Sequence, residues 1–395
     1  MSARLGWAVA GGHFIAAFAA LGLPPFFPLM LERFPQASPP GLAGALYVLP
    51  TLCGAISAPL WGRLADRYGP RRLLLRAQLG LALSFVLTGA ARTPAELAAA
   101  LALQGVLGGT FAASGAYLAS QLRGAELTRA LTLLQGSARA ALVVAPVSVA
   151  LLVGARSPLA LYPPLALLPL LAAALLWRLP VGPAGAGAAG GGAAEGAPDP
   201  APPPPVAPGW TAAAVIALEA SFVFATIVTF PYFMAYVQAL GLPAPLWGAL
   251  FALPHLTYLL WAPAALRRLG PVPPARGLTL GLGLLLISLL AQLSPWWPVL
   301  VAGRVLMGLA MTGCYVWLHV LVAGLAQSRP AGRLFGRFEA ASKLAAVLAG
   351  VAAGLCAPRL GLHAPFALGA LALLPAVMGL LVRDRRWLKR TPYAA

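Results

Sequence analysis

Acidic residues are scarce in this chain. Among 395 residues there are nine Asp and Glu against 27 Lys and Arg, and charged residues of both signs make up only 9%. A water-soluble domain of this length needs more charge to cover its surface, so that class is excluded. Cysteine is nearly absent as well. Cys53, Cys314 and Cys356 stand at unrelated positions inside apolar stretches, which leaves no spacing for a disulfide scaffold or a zinc site and makes them small packing residues. The chain also lacks an H-E-x-x-H, a G-x-S-x-G, a paired-aspartate metal site and a phosphate-binding loop. No metal or cofactor is expected, and the segments between apolar blocks are too short for a catalytic domain. No block alternates polar and apolar residues with the period of a barrel strand.

What the chain has in abundance is apolar sequence: 60% hydrophobic residues and a mean hydropathy of +0.85. It comes in twelve blocks, each long enough to cross ~30 Å of hydrocarbon as a helix. Six fall near 6–29, 40–61, 72–91, 96–121, 128–153 and 157–178. Six more fall near 209–238, 243–266, 274–294, 296–324, 331–356 and 362–382. The fold class expected is therefore all-α integral membrane, with twelve transmembrane helices. Blocks 4, 7 and 10 exceed the length a bilayer needs, which predicts tilt or kinks. Prolines at 24, 25, 28, 146, 231 and 254 are candidates for those kinks or for helix ends. The first block follows Arg4 and is too long for a secretory signal, so it reads as a retained span.

The basic excess is not spread evenly. If the blocks alternate across a bilayer, the loops on one side hold 20 of the 27 basic residues, including Arg63, Arg67, Arg71, Arg72 and Arg76. The opposite loops hold Arg33, Arg92, Arg156 and Arg359. This asymmetry is the positive-inside pattern, which places both termini in the cytoplasm. It also removes nucleic acid as the explanation of the net charge of +18.

Residues 179–208 break the apolar pattern with Gly, Ala and Pro and almost nothing large enough to bury, a cytoplasmic linker by composition. It divides the chain into 1–178 and 209–395, each with six blocks, the second ending in a short basic tail. The halves echo one another, as internal repeats of transporters do. His13 followed by FIAAFAALGLPPFF lines up with Glu219 followed by ASFVFATIVTFPYF; Leu101-Ala-Leu-Gln-Gly lines up with Arg304-Val-Leu-Met-Gly; Gln135-Gly-Ser-Ala-Arg139 lines up with Glu339-Ala-Ala-Ser-Lys343.

Between blocks 2 and 3 stands Gly62-Arg-Leu-Ala-Asp66-Arg67-Tyr-Gly69-Pro-Arg71-Arg72-Leu. Its two glycines permit a tight reversal at the membrane surface, Asp66 can cap or ion-pair with a neighbouring helix end, and its arginines hold the loop in the cytoplasm. This segment resembles the G-x-L-A-D-R-x-G-R-K loop of the major facilitator superfamily, departing from it at Pro70 and Arg71. The resemblance implies two pseudosymmetric six-helix bundles, a central cavity walled by spans 1, 4, 7 and 10, and alternating access by rocking of the halves. It makes Gly62, Asp66, Arg67, Gly69 and Arg71 a gating loop, with the aspartate helping to lock the cytoplasmic side. It also implies a monomer in a bacterial-type inner membrane. Of the R-x-x-x-G pattern of spans 4 and 10 only Arg304 retains the arginine, and the span-5 antiporter motif is reduced to Leu142-Val-Val-Ala-Pro146.

A charge inside a span costs from ~3 to above 10 kcal/mol, so it faces a partner or a wet cavity. Five such residues stand out: Arg139, Glu219, Arg304, Glu339 and Lys343. Glu219, His13 and Glu339 are the candidates for proton coupling, since a buried carboxyl or an imidazole can exchange a proton. The competing readings are a structural ion pair for Glu219 and a structural hydrogen bond for His13. Arg304 either holds an anionic substrate group or salt-bridges Glu219 or Glu339. Arg139 and Lys343 occupy equivalent repeat positions; together they suit a substrate with several carboxylates, or Lys343 pairs with Glu339 one turn away. Gln104, Tyr117, Tyr232 and Tyr315 are candidate cavity-lining residues, with helix packing as the alternative.

The functions left open are three. One is proton-coupled export of a small amphiphilic or anionic metabolite, the family resemblance being closest to drug and metabolite exporters, including those of carboxylate siderophores. The second is import of an organic anion or ferric siderophore by proton symport, which the reduced span-5 motif keeps open. The third is a non-transporting receptor or membrane enzyme. The partners expected are a small-molecule substrate, protons and the lipid bilayer.

Overall fold

The computed structural model describes residues 2–24, 27–31, 33–34, 42–153, 158–180, 210–269 and 272–388. Every one of the twelve apolar blocks is helical. In the first half these are α1 (Ser2–Gly22), the short α2 (Phe27–Leu31), α3 (Leu42–Tyr68), α4 (Pro70–Gly89), α5 (Pro94–Leu107), α6 (Thr110–Gln121), α7 (Gly124–Val153), α8 (Tyr162–Leu165) and α9 (Leu167–Trp177). The second half has α10 (Ala212–Ile227), α11 (Phe230–Ala239), α12 (Ala244–Leu269), α13 (Pro274–Ala291), α14 (Trp297–Ser328), α15 (Ala331–Leu360) and α16 (Ala364–Leu388). No strand occurs among the described residues. Nine spans there are long and apolar enough to cross a membrane; the remaining blocks are the helices α1, α3 and α7.

Lipid as solvent explains the surface. Leu260 is 83% exposed, and Ile56, Leu280, Leu371 and Leu360 are exposed on other helices. In water these residues would be an aggregation surface, whereas against acyl chains they are the solvent-matched face. Hydroxyls satisfy themselves on their own helix: Thr88 donates to the Ser84 carbonyl, Thr132 to that of Thr128 and Thr226 to that of Phe222. Helix starts follow ordinary capping rules. At α5, Thr93 accepts from the Glu96 amide at 3.1 Å, Pro94 occupies the first turn, and the Glu96 carboxylate reaches back to the Arg92 amide at 2.7 Å.

Two of the three long blocks are broken. Block 4 splits at Gly108–Gly109, where Gly109 sits in the left-handed region (φ 80°) that a side chain would disfavour. Block 7 splits between Ile227 and Phe230, just ahead of Pro231. Block 10 runs unbroken for 32 residues as α14. Pro254 lies inside α12, and α7 is helical through Pro146.

Chain contacts define two compact units, Met1–Ala212 with Ala323–Leu344, and Ala213–Val322 with Ala345–Ala395. This division differs from the boundary read off the sequence, because the end of α14 and the first half of α15 group with the first unit. Beyond Pro180 the expected linker lies outside the described residues. In the first unit α1 packs along α7 and α9, and α3 and α4 pack on α5. An apolar core forms around Met30, Leu46, Phe85, Leu97, Leu101 and Tyr162. In the second unit α13 packs against α16, and α11 against α12.

Candidate functional site

The loop motif forms a latch onto the N-terminus of α15. Helix α3 continues through the motif to Tyr68 and its last turn carries Asp66. The Asp66 carboxylate accepts hydrogen bonds from the backbone amides of Gly332 at 2.7 Å and Arg333 at 2.9 Å, with the Arg333 Nε 3.6 Å away. These amides belong to the first turn of α15, which has no intrahelical acceptor for them, so a carboxylate from another helix caps a positive helix end. Burial raises the Asp66 pKa above its ordinary 3.8, while both amides and Arg333 pull the other way.

The sequence reading of Gly62 as a turn residue needs correcting. Gly62 is helical, and a Cβ there would collide with the Gly332 carbonyl; a Cβ on Gly332 would meet the Gly62 carbonyl in return. Its role is close helix approach, which sets Asp66 over the α15 end. The reversal falls to Gly69 alone (φ 93°), followed by Pro70 at the start of α4. Arg71 donates to the Trp177 carbonyl at the end of α9 and lies over its indole. Arg67 stacks on Tyr68 at 5.3 Å.

The break in block 4 is stabilised from α3 and α4. With Gly108–Gly109 out of helix, the Val106 and Leu107 carbonyls lose their acceptor role in the helix. Trp61 Nε1 donates to Val106 at 2.6 Å, Ser57 joins it at 3.2 Å, and Arg76 donates to Leu107 at 2.6 Å. The Arg76 guanidinium lies 3.5 Å above the Trp61 ring. These residues line a cavity of about 20 Å³ with Gly105, Gly109 and Ala113, room for a single water. Sequence reading missed Trp61 and Arg76 as a pair; the double glycine at 108–109 was the only local signal of the break.

A polar cluster occupies the same unit. Glu339 pairs with Lys343 at 2.9 Å, the i,i+4 alternative foreseen for Lys343. The Lys343 ammonium nests over Gly54, where a Cβ would come within 2.5 Å of it. His13 shares a hydrogen bond with Thr110 Oγ1 at 3.1 Å, meets Phe111 edge-on and feels the Glu339 charge. Arg139 is buried on α7 and engaged. Tyr117 is fully buried, and its hydroxyl donates to the Pro180 carbonyl at 3.0 Å. Gln104 is partly buried on α5 near the break, its side-chain oxygen without a protein partner.

In the second unit Glu219 is 8% exposed on α10. One turn on, Phe222 meets Tyr315 of α14 edge-on at 4.9 Å. Tyr258 of α12 closes on Tyr315 at 5.9 Å, and His319 stacks on it at 5.8 Å. Cys314, beside Tyr315, is within electrostatic reach of Glu219. The Glu219 carboxyl is thus buried on α10, one turn from a ring cluster supplied by Phe222, Tyr258 and Tyr315. Phe222 and Tyr258 went unnoticed in the sequence because three separate helices supply the rings. Tyr232 packs with Val228, Ala349 and Ala353.

Arg304 pairs with neither Glu219 nor Glu339. It is fully buried, and its guanidinium donates to the backbone carbonyls of Leu250 at 2.9 Å and Phe251 at 2.8 Å, with Gln292 Oε1 at 3.4 Å and the Phe233 ring 4.1 Å beneath. Glu219 and Glu339 are not among these contacts; neutral carbonyls fill the acceptor positions that a carboxylate would have taken.

The family model of the Major Facilitator Superfamily matches residues 9–289. The chain belongs to the major facilitator superfamily. Two solved major facilitator structures share its fold: the human organic anion transporter MFSD10 (TETRAN), with a TM-score of 0.76 and 18% identity over 96% of this chain and 99% of that one, and the proton:xylose symporter XylE, with a TM-score of 0.68 and 13% identity over 95% and 94%. Among curated proteins, Multidrug resistance protein MdtG of Yersinia enterocolitica is 36% identical over 114 residues, 28% of either chain. MdtG of Proteus mirabilis is 39% identical over 101 residues, 25% of either chain. The matched stretch spans little more than a quarter of those relatives' length. This major facilitator protein is a multi-pass membrane protein.

Proposed function

We propose that this major facilitator protein is a proton-coupled exporter of small amphiphilic compounds, working by alternating access, with Glu219 exchanging its proton for substrate. One observation carries the reading: a buried carboxylate, Glu219, within the apolar helix α10, one turn from the Phe222 ring that meets Tyr315. Such a group binds a proton or a hydrophobic partner, and competition between the two couples their movements. The local likeness to proteins named for multidrug resistance supports the direction and the substrate class. The Asp66 latch serves as the cytoplasmic gate in this scheme. His13 and Glu339 form a second titratable group in the first unit. The protein works as a monomer of two six-helix halves, 1–178 and 209–395 joined by the 179–208 linker, in a bacterial inner membrane with both termini cytoplasmic.

A polyanionic substrate such as a carboxylate siderophore fits less well. Of the three basic residues that argued for it, Arg304 is held by backbone carbonyls and Lys343 by Glu339. Import by proton symport remains the second reading, favoured by the reduced 142–146 motif in a helix that continues through Pro146. Inverted membrane vesicles separate the two. Ethidium and rhodamine should accumulate inside inverted vesicles when the interior is acid and leave when the gradient is collapsed. Uptake by right-side-out vesicles instead would overturn export.

A further inference from the structure

The geometry points to Arg304 as a positioning residue that stands in for the N–H missing at Pro254 and so couples the proline site of α12 to the break between α10 and α11. Proline at 254 has no amide to donate to the carbonyl four residues back, which is Leu250, and its ring pushes that carbonyl off the helix axis. Leu250 is the carbonyl that receives Arg304 Nε at 2.9 Å, and the next one, Phe251, receives Nη2 at 2.8 Å. A planar fork can serve two successive carbonyls at once; an ammonium cannot. Four residues along α14, on the same face, Gly308 lies against the Pro254 carbonyl, which a Cβ would approach to 2.7 Å. The Arg-x-x-x-Gly spacing therefore has a physical meaning here: the arginine satisfies the opened helix, and the glycine lets α14 come close enough to do so.

The other face of the guanidinium rests on Phe233 of α11, 4.1 Å away. Phe233 and Phe230 pack on Phe251, and Phe230 also on His255, so the broken span α10–α11 meets α12 ring to ring beside Pro254. Gln292 completes the clasp: its Oε1 faces Arg304, its Nε2 donates to the Ser288 carbonyl at 3.1 Å, and its own carbonyl accepts from the Tyr236 hydroxyl at 2.7 Å. A single side chain thereby links α11, α12 and α13 to α14. Because α10, on the far side of the break, carries Glu219, the clasp acts on helix rearrangement and not on substrate contact.

The test is a double-mutant cycle on the full-length protein: Arg304→Met, Pro254→Ala and the pair, with Arg304→Lys as a fourth variant. Alanine at 254 restores the amide that Arg304 replaces. Arg304→Met should lower Tm and, per folded molecule, reduce Vmax of ethidium flux in proteoliposomes about tenfold with KM little changed, as expected for a slowed conformational step. Pro254→Ala should recover at least half of both losses in the double variant, and Arg304→Lys should behave like Arg304→Met. A substrate-free readout accompanies these: maleimide labelling of Thr229→Cys, in a chain whose native cysteines are serine, should speed up in Arg304→Met and slow again in the double variant. Additive losses in Tm and labelling, or a fully active Arg304→Lys, would overturn the assignment whatever ethidium does.

Discussion

Replacing Asp66 with asparagine isolates the latch. The carboxylate accepts two amide bonds, at 2.7 and 2.9 Å, each charge-assisted and worth about 1.5–3 kcal/mol. Asparagine offers one oxygen and turns an N–H₂ group toward the second amide, so one of these bonds is lost outright. The negative charge at the α15 N-terminus goes with it, a further ~0.3–1 kcal/mol. Arg333 contributes little, because its side chain is 60% exposed and exposed pairs are worth ~0–1 kcal/mol. The latch should therefore weaken by about 2 kcal/mol or more, an opening equilibrium raised roughly 30-fold. Hydrogen exchange reads this directly on the peptide covering 329–338, which contains both donating amides. Its protected amides should exchange about 30-fold faster in Asp66→Asn, while a peptide at the α5 start, capped by Thr93, stays unchanged. Exchange within twofold of wild type would refute the idea that this carboxylate holds the α15 end.

The same latch has a defined pH response. Since the Asp66 pKa is raised in the latched state, that state binds the proton more readily than a solvated loop; its stability falls as pH climbs from 3.8 through the raised value and is flat above. Opening, read from exchange after correction for the intrinsic pH dependence of amide exchange, should accordingly rise with pH above 3.8 and then level off; opening that falls as pH rises would contradict the assignment. Trp61→Phe removes the donor to the Val106 carbonyl but leaves Ser57 beside it; a loss near 1 kcal/mol in thermal unfolding is expected. Gly54→Ala should move Tm by no more than about a degree, because what its Cβ meets is the mobile end of the Lys343 side chain, which can swing aside; a loss of several degrees would show that the ammonium is held rigidly there.

Much of this architecture is legible in the sequence because the bilayer sets a fixed length. All twelve apolar blocks are helical among the described residues, nine of them long and apolar enough to cross a membrane, and the Asp66 loop announced a helix-capping role before any partner was known. What stayed hidden depends on contacts between residues far apart in the chain. Gly62 reads as a turn glycine until Gly332 comes into view, some 270 positions later, and shows it to be a packing glycine within α3. Arg304 suggested a missing carboxylate, and Pro254 suggested a kink; only their adjacency reveals that each answers the other. Tyr117 looked suited to a cavity because tyrosine serves both packing and binding, and nothing local told of the Pro180 carbonyl it reaches. The ring cluster of Phe222, Tyr258 and Tyr315 is drawn from α10, α12 and α14, whose register against one another no local pattern encodes.

Gradient-driven flux in proteoliposomes carrying Glu219→Gln tests the coupling role most directly. Wild-type protein should drive ethidium uphill at the expense of an imposed pH gradient and release protons when ethidium is added without one. The glutamine variant should still exchange labelled for unlabelled ethidium but neither concentrate it nor move protons. Uphill transport of wild-type size by Glu219→Gln would contradict the account.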